Sequence, residues 1–214
     1  MQKIKAELDT LIELFDLKFV KNSIAFSDFI QDIDVDKLED IAEQILTKIE
    51  TNLSLEIDGW FEEELKMKLL SPIFFLADLA ELKKIGVFFE RPITAEFEQG
   101  KISVITDCMV SSVYGFTTPE KPYFFMQEFK KSKGDKQDPE GQMLAAMIAG
   151  QHLNNNGKVM YGSYVVGAFW YFTVLDGKNY SRSDAFQLTK PLELRQVILT
   201  LRKLKQIILN DLMD

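Results

Sequence analysis

The stretch Tyr123–Lys133, YFFMQEFKKSK, begins apolar and ends basic, with Glu128 and Lys130 at the change. Side chains on a strand alternate faces with period two, so Glu128 and Lys130 share one face and Phe129 takes the other. The apolar run ahead of them predicts a strand buried on both faces. A carboxylate and an ammonium near the end of such a strand are expensive to bury, which marks the pair as a candidate site.

The neighbouring segments frame this strand. Residues 85–98, IGVFFERPITAEFE, read as a strand made irregular by Pro92. After a Gln99–Gly100 turn, residues 101–110, KISVITDCMV, read as a second strand with Asp107 near its end, and residues 111–122 as a bulging loop. On the other side, Asp138–Pro139 predicts a helix start, with Asp as N-cap and Pro at the first helical position. That helix stops at Asn154–Asn155–Asn156–Gly157. Residues 158–166 and 168–175 read as strands, and Asp176–Gly177 as a hairpin turn that lets 178–188 pair back. Pro191 opens a final helix with Leu194, Val197, Ile198, Leu201, Leu204 and Ile208 on its apolar face. Arg195, Arg202, Lys203 and Lys205 make its other faces basic, a surface that would suit a protein partner.

Upstream, Asp58 is the expected cap of a helix carrying Glu62, Glu63 and Glu64 in its first turns, where negative charge suits the helix dipole. Pro72 should kink or divide it. Residues 2–16 have helical spacing, and a second helix runs from Asp34 or Asp36 through about Thr51 with Leu38 and Ile41 on its inner face. The expected organisation is a helical N-terminal extension over 1–57 and an α/β domain over 58–214. Short turns between the first three strands imply an antiparallel meander, and the strand–helix–strand unit implies a parallel crossover. The fold class expected is α/β: a mixed central sheet flanked by helices.

Composition narrows the function. The chain has 214 residues, 46% of them hydrophobic, which supports a substantial core. Its single cysteine, Cys108, and single histidine, His152, exclude a disulfide framework and a cysteine or histidine metal cluster within one chain. The N-terminus does not resemble a signal peptide, and no apolar stretch approaches the roughly 18 residues of a membrane span. Together these point to a cytoplasmic protein without a membrane partner. A formal net charge of −8 argues against a strong non-specific grip on duplex DNA but leaves room for a local basic patch.

If the second and third strands are neighbours, Asp107, Glu128 and Lys130 converge. Two carboxylates at a sheet edge form a hard, oxygen-rich site of the kind that suits Mg2+ or Mn2+. A lysine beside them would orient or activate a water, completing the parts needed for metal-assisted phosphodiester hydrolysis.

Asp107 followed by Glu128–Phe129–Lys130 resembles the PD-(D/E)XK nuclease superfamily. The order helix, three strands, helix, strand over 58–166 is similar to its restriction-endonuclease-like αβββαβ core. EELKMKLLSP at 63–72 resembles the first core helix in nuclease domains of type I restriction subunits. Gln142 resembles a glutamine in the exonuclease-like branch. The resemblance implies that Asp107, Glu128 and the backbone carbonyl of Phe129 bind the metal. It makes Glu63 the accessory metal-site acid, with Glu62 and Glu64 as one-residue alternatives. Lys130 would activate water, and Gln142 would support the lysine or contact DNA. Lys131, Lys133 and Lys136, beside the site, would hold a phosphate strand. The sequence departs from the pattern where Thr106 rather than proline precedes Asp107, and where Ala146 replaces a tyrosine one turn after the glutamine.

Two functions follow as expectations. One is a Mg2+- or Mn2+-dependent deoxyribonuclease in restriction, defence or repair, for which cutting both strands favours a homodimer. The other is a catalytically inactive protein of the same fold that serves as a binding module, since fold does not fix function.

Overall fold

The structure is a computed structural model that describes residues 1–34, 40–115, 117–130 and 138–213. Its centre is an eight-stranded mixed sheet ordered β1-β7-β6-β5-β4-β3-β2, with β8 pairing β6 off this path. The strands are β1 Lys18–Phe19, β2 Ile85–Phe97, β3 Gly100–Tyr114, β4 Thr118–Lys130, β5 Met160–Val166, β6 Phe169–Asp176, β7 Asn179–Arg182 and β8 Phe186–Gln187. β2, β3 and β4 form the expected antiparallel meander, and β4 pairs parallel with β5 across the intervening helix α6, Pro139–Asn154.

Helices cover both faces. On one side lie α2 (Ile24–Ile30), α3 (Asp40–Glu56), α5 (Ser71–Ala77) and α7 (Pro191–Ile207). They bury Phe29, Leu46, Ile73 and Leu201 against Phe125, Phe129 and Trp170 of the sheet. On the other side, α1 (Leu8–Phe15) and α6 bury Leu11, Met143, Leu144 and Met147 against Met109, Met126 and Tyr164. Among the described residues no helix is long and apolar enough to cross a membrane.

Several local expectations change in the folded chain. The helix expected over 2–16 begins only at Leu8. Residues ahead of it run extended along the sheet, where Ile4 N–H donates to the Lys101 carbonyl (2.9 Å) and Lys101 N–H to that of Gln2 (2.9 Å). Gly100 permits this approach, because a Cβ there would stand 2.8 Å from the Gln2 carbonyl oxygen. The expected loop over 111–122 is mostly strand. β3 and β4 continue to Tyr114 and Thr118, with irregular register between Val110 and Ser112. β5 pairs β4 only from Phe125 onward, so Pro119 and Pro122 occupy a free strand edge where a missing N–H is tolerated.

Residue 58 lies in a short 3-10 turn, Ile57–Gly59, and α4 starts at Glu62. The Glu64 carboxylate reaches back to the Phe61 N–H (3.0 Å) and satisfies a donor at that helix start. α4, Glu62–Leu65, runs into a π-helical stretch, Lys66–Leu70, and then into α5. Pro72 has no N–H to continue an α-helical ladder, and the chain answers by widening just before it instead of dividing. Asp36 and Leu38 lie outside the described residues.

The basic residues of α7 are engaged inside the chain. Arg195 pairs with Glu43, Arg202 donates to the Leu76 carbonyl (2.9 Å), and Lys205 meets Asp78 (3.0 Å). Lys203 donates to the Gln31 carbonyl (2.9 Å).

Candidate functional site

Cross-strand register brings the predicted residues together. Cys108 pairs with Gln127, so Asp107 and Glu128 stand side by side on β3 and β4. They form the floor of an open cleft of about 1090 Å³, which Lys130 and Gln142 also line. Asp107, Glu128 and Lys130 are only 8%, 5% and 9% exposed. The alternation read from the sequence holds at this end of β4: Glu128 and Lys130 face the cleft, while the Phe129 ring is buried in the opposite core.

Every group at this floor has a partner that fixes it. The Asp107 Oδ2 accepts the Phe129 N–H at 2.8 Å, and its Oδ1 accepts the Lys66 ammonium at 3.1 Å. The Lys130 Nζ lies 3.3 Å from Glu128 Oε1. Burial, and then the charge of Asp107, push the Glu128 carboxyl up to about 8, and the two carboxyls are within hydrogen-bonding reach. Burial also raises Asp107, against the opposing pull of the Phe129 N–H and Lys66. Two adjacent buried carboxylates cannot both carry charge cheaply, and the ammonium groups of Lys66 and Lys130 offset that cost.

Three features of the site were missed in the sequence. The first is Lys66, in the π-helical stretch. Burial works against its charge, but Glu90 and Asp107 outweigh burial and hold its pKa above the usual ammonium range. Its only local signal was its place three residues after Glu63. The second is Glu90, 3.1 Å from Lys66 Nζ. It stands opposite Asp107 in the β2–β3 register and adopts φ 52°, a conformation disfavoured for any side-chain-bearing residue. Phe88 and Ile93 both reach the α6-side core, so the alternation of β2 changes across this point. The third is the extended segment ahead of α1, whose Lys3 and Lys5 line the cleft. Asp138 ties this segment to α6, accepting the N–H groups of Gly141 (2.9 Å) and Leu8 (2.8 Å).

The remaining predicted residues divide. Gln142 is in the first turn of α6, and its Oε1 is buried without a hydrogen-bond partner. Glu63 is 83% exposed at the rim and reaches the floor only through Lys66, 3.9 Å away. Glu64 pairs instead with Lys68 (3.1 Å). Lys131, Lys133 and Lys136 lie outside the described residues. Cys108 is fully buried, and burial pushes its thiol far above the reactive range.

Among the described residues, no three Asp, Glu, His or Cys side chains gather closely enough to cage a metal ion. The floor presents two adjacent carboxylates, the donor type that hard divalent cations of the Mg2+ type use. Such ions commonly use only one or two carboxylates and complete their shell with water and substrate phosphate. Asp107 and Glu128 are the two such carboxylates here, and each is raised in proton affinity by burial.

No protein-family model matches the chain, and none of the curated proteins matches it.

Proposed function

We propose that this chain is a divalent-cation-dependent nuclease of the PD-(D/E)XK type that hydrolyses DNA phosphodiester bonds at the Asp107–Glu128–Lys130 floor. The observation that carries the reading is the buried Asp107–Glu128 pair at the base of an open cleft with Lys130 beside it. The order helix, three antiparallel strands, helix, parallel strand from α4 to β5 supports a restriction-endonuclease-like core.

Asp107 and Glu128 would hold Mg2+ or Mn2+, with the Phe129 carbonyl as a further oxygen. The chemistry supplied when the cation is bound is Lewis acidity toward the phosphodiester. Lys130, ion-paired with Glu128, orients the attacking water. Gln142 lines the same cleft, and its buried, unpaired amide oxygen would accept a hydrogen bond from that water or from the substrate once the side chain turns toward them. Lys3 and Lys5 on the cleft wall, with Lys131, Lys133 and Lys136, supply charge for the phosphate strand.

The test is cleavage of single-stranded and duplex DNA in Mg2+ or Mn2+. Wild type should cut, and Asp107→Ala and Lys130→Ala should each lose at least about 100-fold in rate. Intact DNA of every form, with either metal, would refute the enzymatic reading. A second reading, a binding module of the same fold without catalysis, is favoured by the Lys66–Asp107 ion pair on the oxygen that a metal would use. It expects partner binding that neither substitution changes.

A further inference from the structure

A cation already stands among the acids of this site. The Lys66 Nζ lies 3.1 Å from Asp107 Oδ1, 3.1 Å from Glu90 Oε1 and 3.9 Å from Glu63 Oε1. The acids form a path from the floor outward, with side chains 10%, 61% and 83% exposed respectively. Resting on the divalent-cation reading above, we infer that Lys66 is a displaceable internal counter-ion. It neutralises Asp107 in the metal-free protein, competes with the incoming cation, and withdraws along Glu90 and Glu63 when the cation binds.

Three observations carry this. An ammonium and a divalent ion on one carboxylate oxygen repel strongly at protein dielectric, so the contact to Asp107 must be released for Oδ1 to serve a metal. The release has a destination, because Glu90 already accepts the same ammonium and Glu63 lies one helical turn away on the same face. Lys66 also has the right mechanics. It is a flexible four-carbon arm, and it begins the π-helical stretch Lys66–Leu70, a geometry that recurs at functional sites. Glu90 holds its place through a backbone at φ 52°, a strain of the kind that persists where the surrounding sheet enforces it.

The device sets the affinity of the site. Lys66 lowers metal occupancy when substrate is absent and keeps Asp107 from standing without a cation on its Oδ1. Phosphate oxygens arriving with DNA add negative charge beside the cation and shift the competition in its favour.

The experiment is Mn2+ titration by calorimetry into the full chain: wild type, Lys66→Met, Lys66→Gln, Glu63→Gln and the double variant Lys66→Met/Asp107→Asn. Removing a charge-assisted hydrogen bond from the competitor should tighten Mn2+ binding roughly tenfold or more in both Lys66 variants. Glu63→Gln should weaken it, since the rim then holds the ammonium less well, and the double variant should not bind. Amine labelling of wild type, read by mass spectrometry, needs no variant to fold: Lys66 should label faster in saturating Mn2+. Equal affinity in wild type and the Lys66 variants, or weaker binding in those variants, overturns the inference and leaves the metal reading standing. Unchanged labelling at Lys66 in Mn2+ does the same. Failure of every protein to bind Mn2+, even with DNA added, overturns the metal reading and this inference with it.

Discussion

Replacing Glu128 with glutamine should stabilise the protein at alkaline pH and leave it unchanged at acid pH. In the folded chain burial and the Asp107 charge push the Glu128 carboxyl up to about 8, from an ordinary value of 4.5. Between these values the folded protein holds a proton that the unfolded chain has released. Stability therefore falls as pH rises through that window, by at most about 1.4 kcal/mol per unit from this one group. The contribution is fully present below about pH 4.5 and lost by about pH 8, with an upper bound of about 5 kcal/mol for the whole span. Water in the open cleft and movement of Lys130 should cut this to about 2–3 kcal/mol. Glutamine has the shape of the protonated acid and no charge at any pH. Glu128→Gln should thus match wild type near pH 4.5 and exceed it by about 2–3 kcal/mol at pH 8.5, or about 5–10 °C in Tm for a chain of this size. The assay is urea unfolding of both proteins from pH 4.5 to 8.5, with chelator present so that no divalent ion replaces the proton. Groups titrating elsewhere cancel in the difference. Parallel stability curves, or a variant less stable than wild type at pH 8.5, would refute the claim that burial and like charge strain this pair.

Glu140 accepts hydrogen bonds from the hydroxyls of Tyr164 (2.9 Å) and Tyr180 (2.9 Å) and from Arg182 (2.6 Å) in a buried cluster beside the start of α6. Glu140→Ala strands all three donors and should cost about 3–5 kcal/mol in urea unfolding. Gln127 is buried with both amide polar atoms unpartnered. Gln127→Met keeps the shape, removes those groups, and should raise stability by about 1–2 kcal/mol in thermal unfolding. Gly162→Ala places a Cβ 2.6 Å from the sulfurs of Met143 and Met147, so these buried side chains must shift from their contacts with the Thr173 hydroxyl. It should destabilise by about 1–3 kcal/mol, read from the urea midpoint.

Much of the frame was legible because its signals are local. The Asp138–Pro139 start of α6, the alternation that sends Glu128 and Lys130 one way and Phe129 the other, and the apolar face of α7 depend on residues within a turn or a few strand positions. The failures are also informative. The apolar spacing of residues 2–16 favours a helix throughout, yet backbone hydrogen bonds to Lys101 hold its first residues extended. The prolines at 119 and 122 suggested a loop, but the missing neighbour along that part of β4 makes them harmless in a strand. The neighbouring placement of Asp107 and Glu128 followed from reading two adjacent strands as a hairpin.

The electrostatic surroundings of the pair did not follow. By itself the sequence determined which residues are helix formers, which are strand formers, and that Glu128 and Lys130 share one face of a strand that follows the strand of Asp107. Only the tertiary structure decided that Lys66 neutralises Asp107, that Glu90 joins them, and that Lys3 and Lys5 wall the cleft. The reason is separation. Asp107 meets the Phe129 N–H across 22 residues and the Lys66 ammonium across 41. No periodicity spans such gaps, and the contact exists only once packing of the helix onto the sheet has fixed both ends.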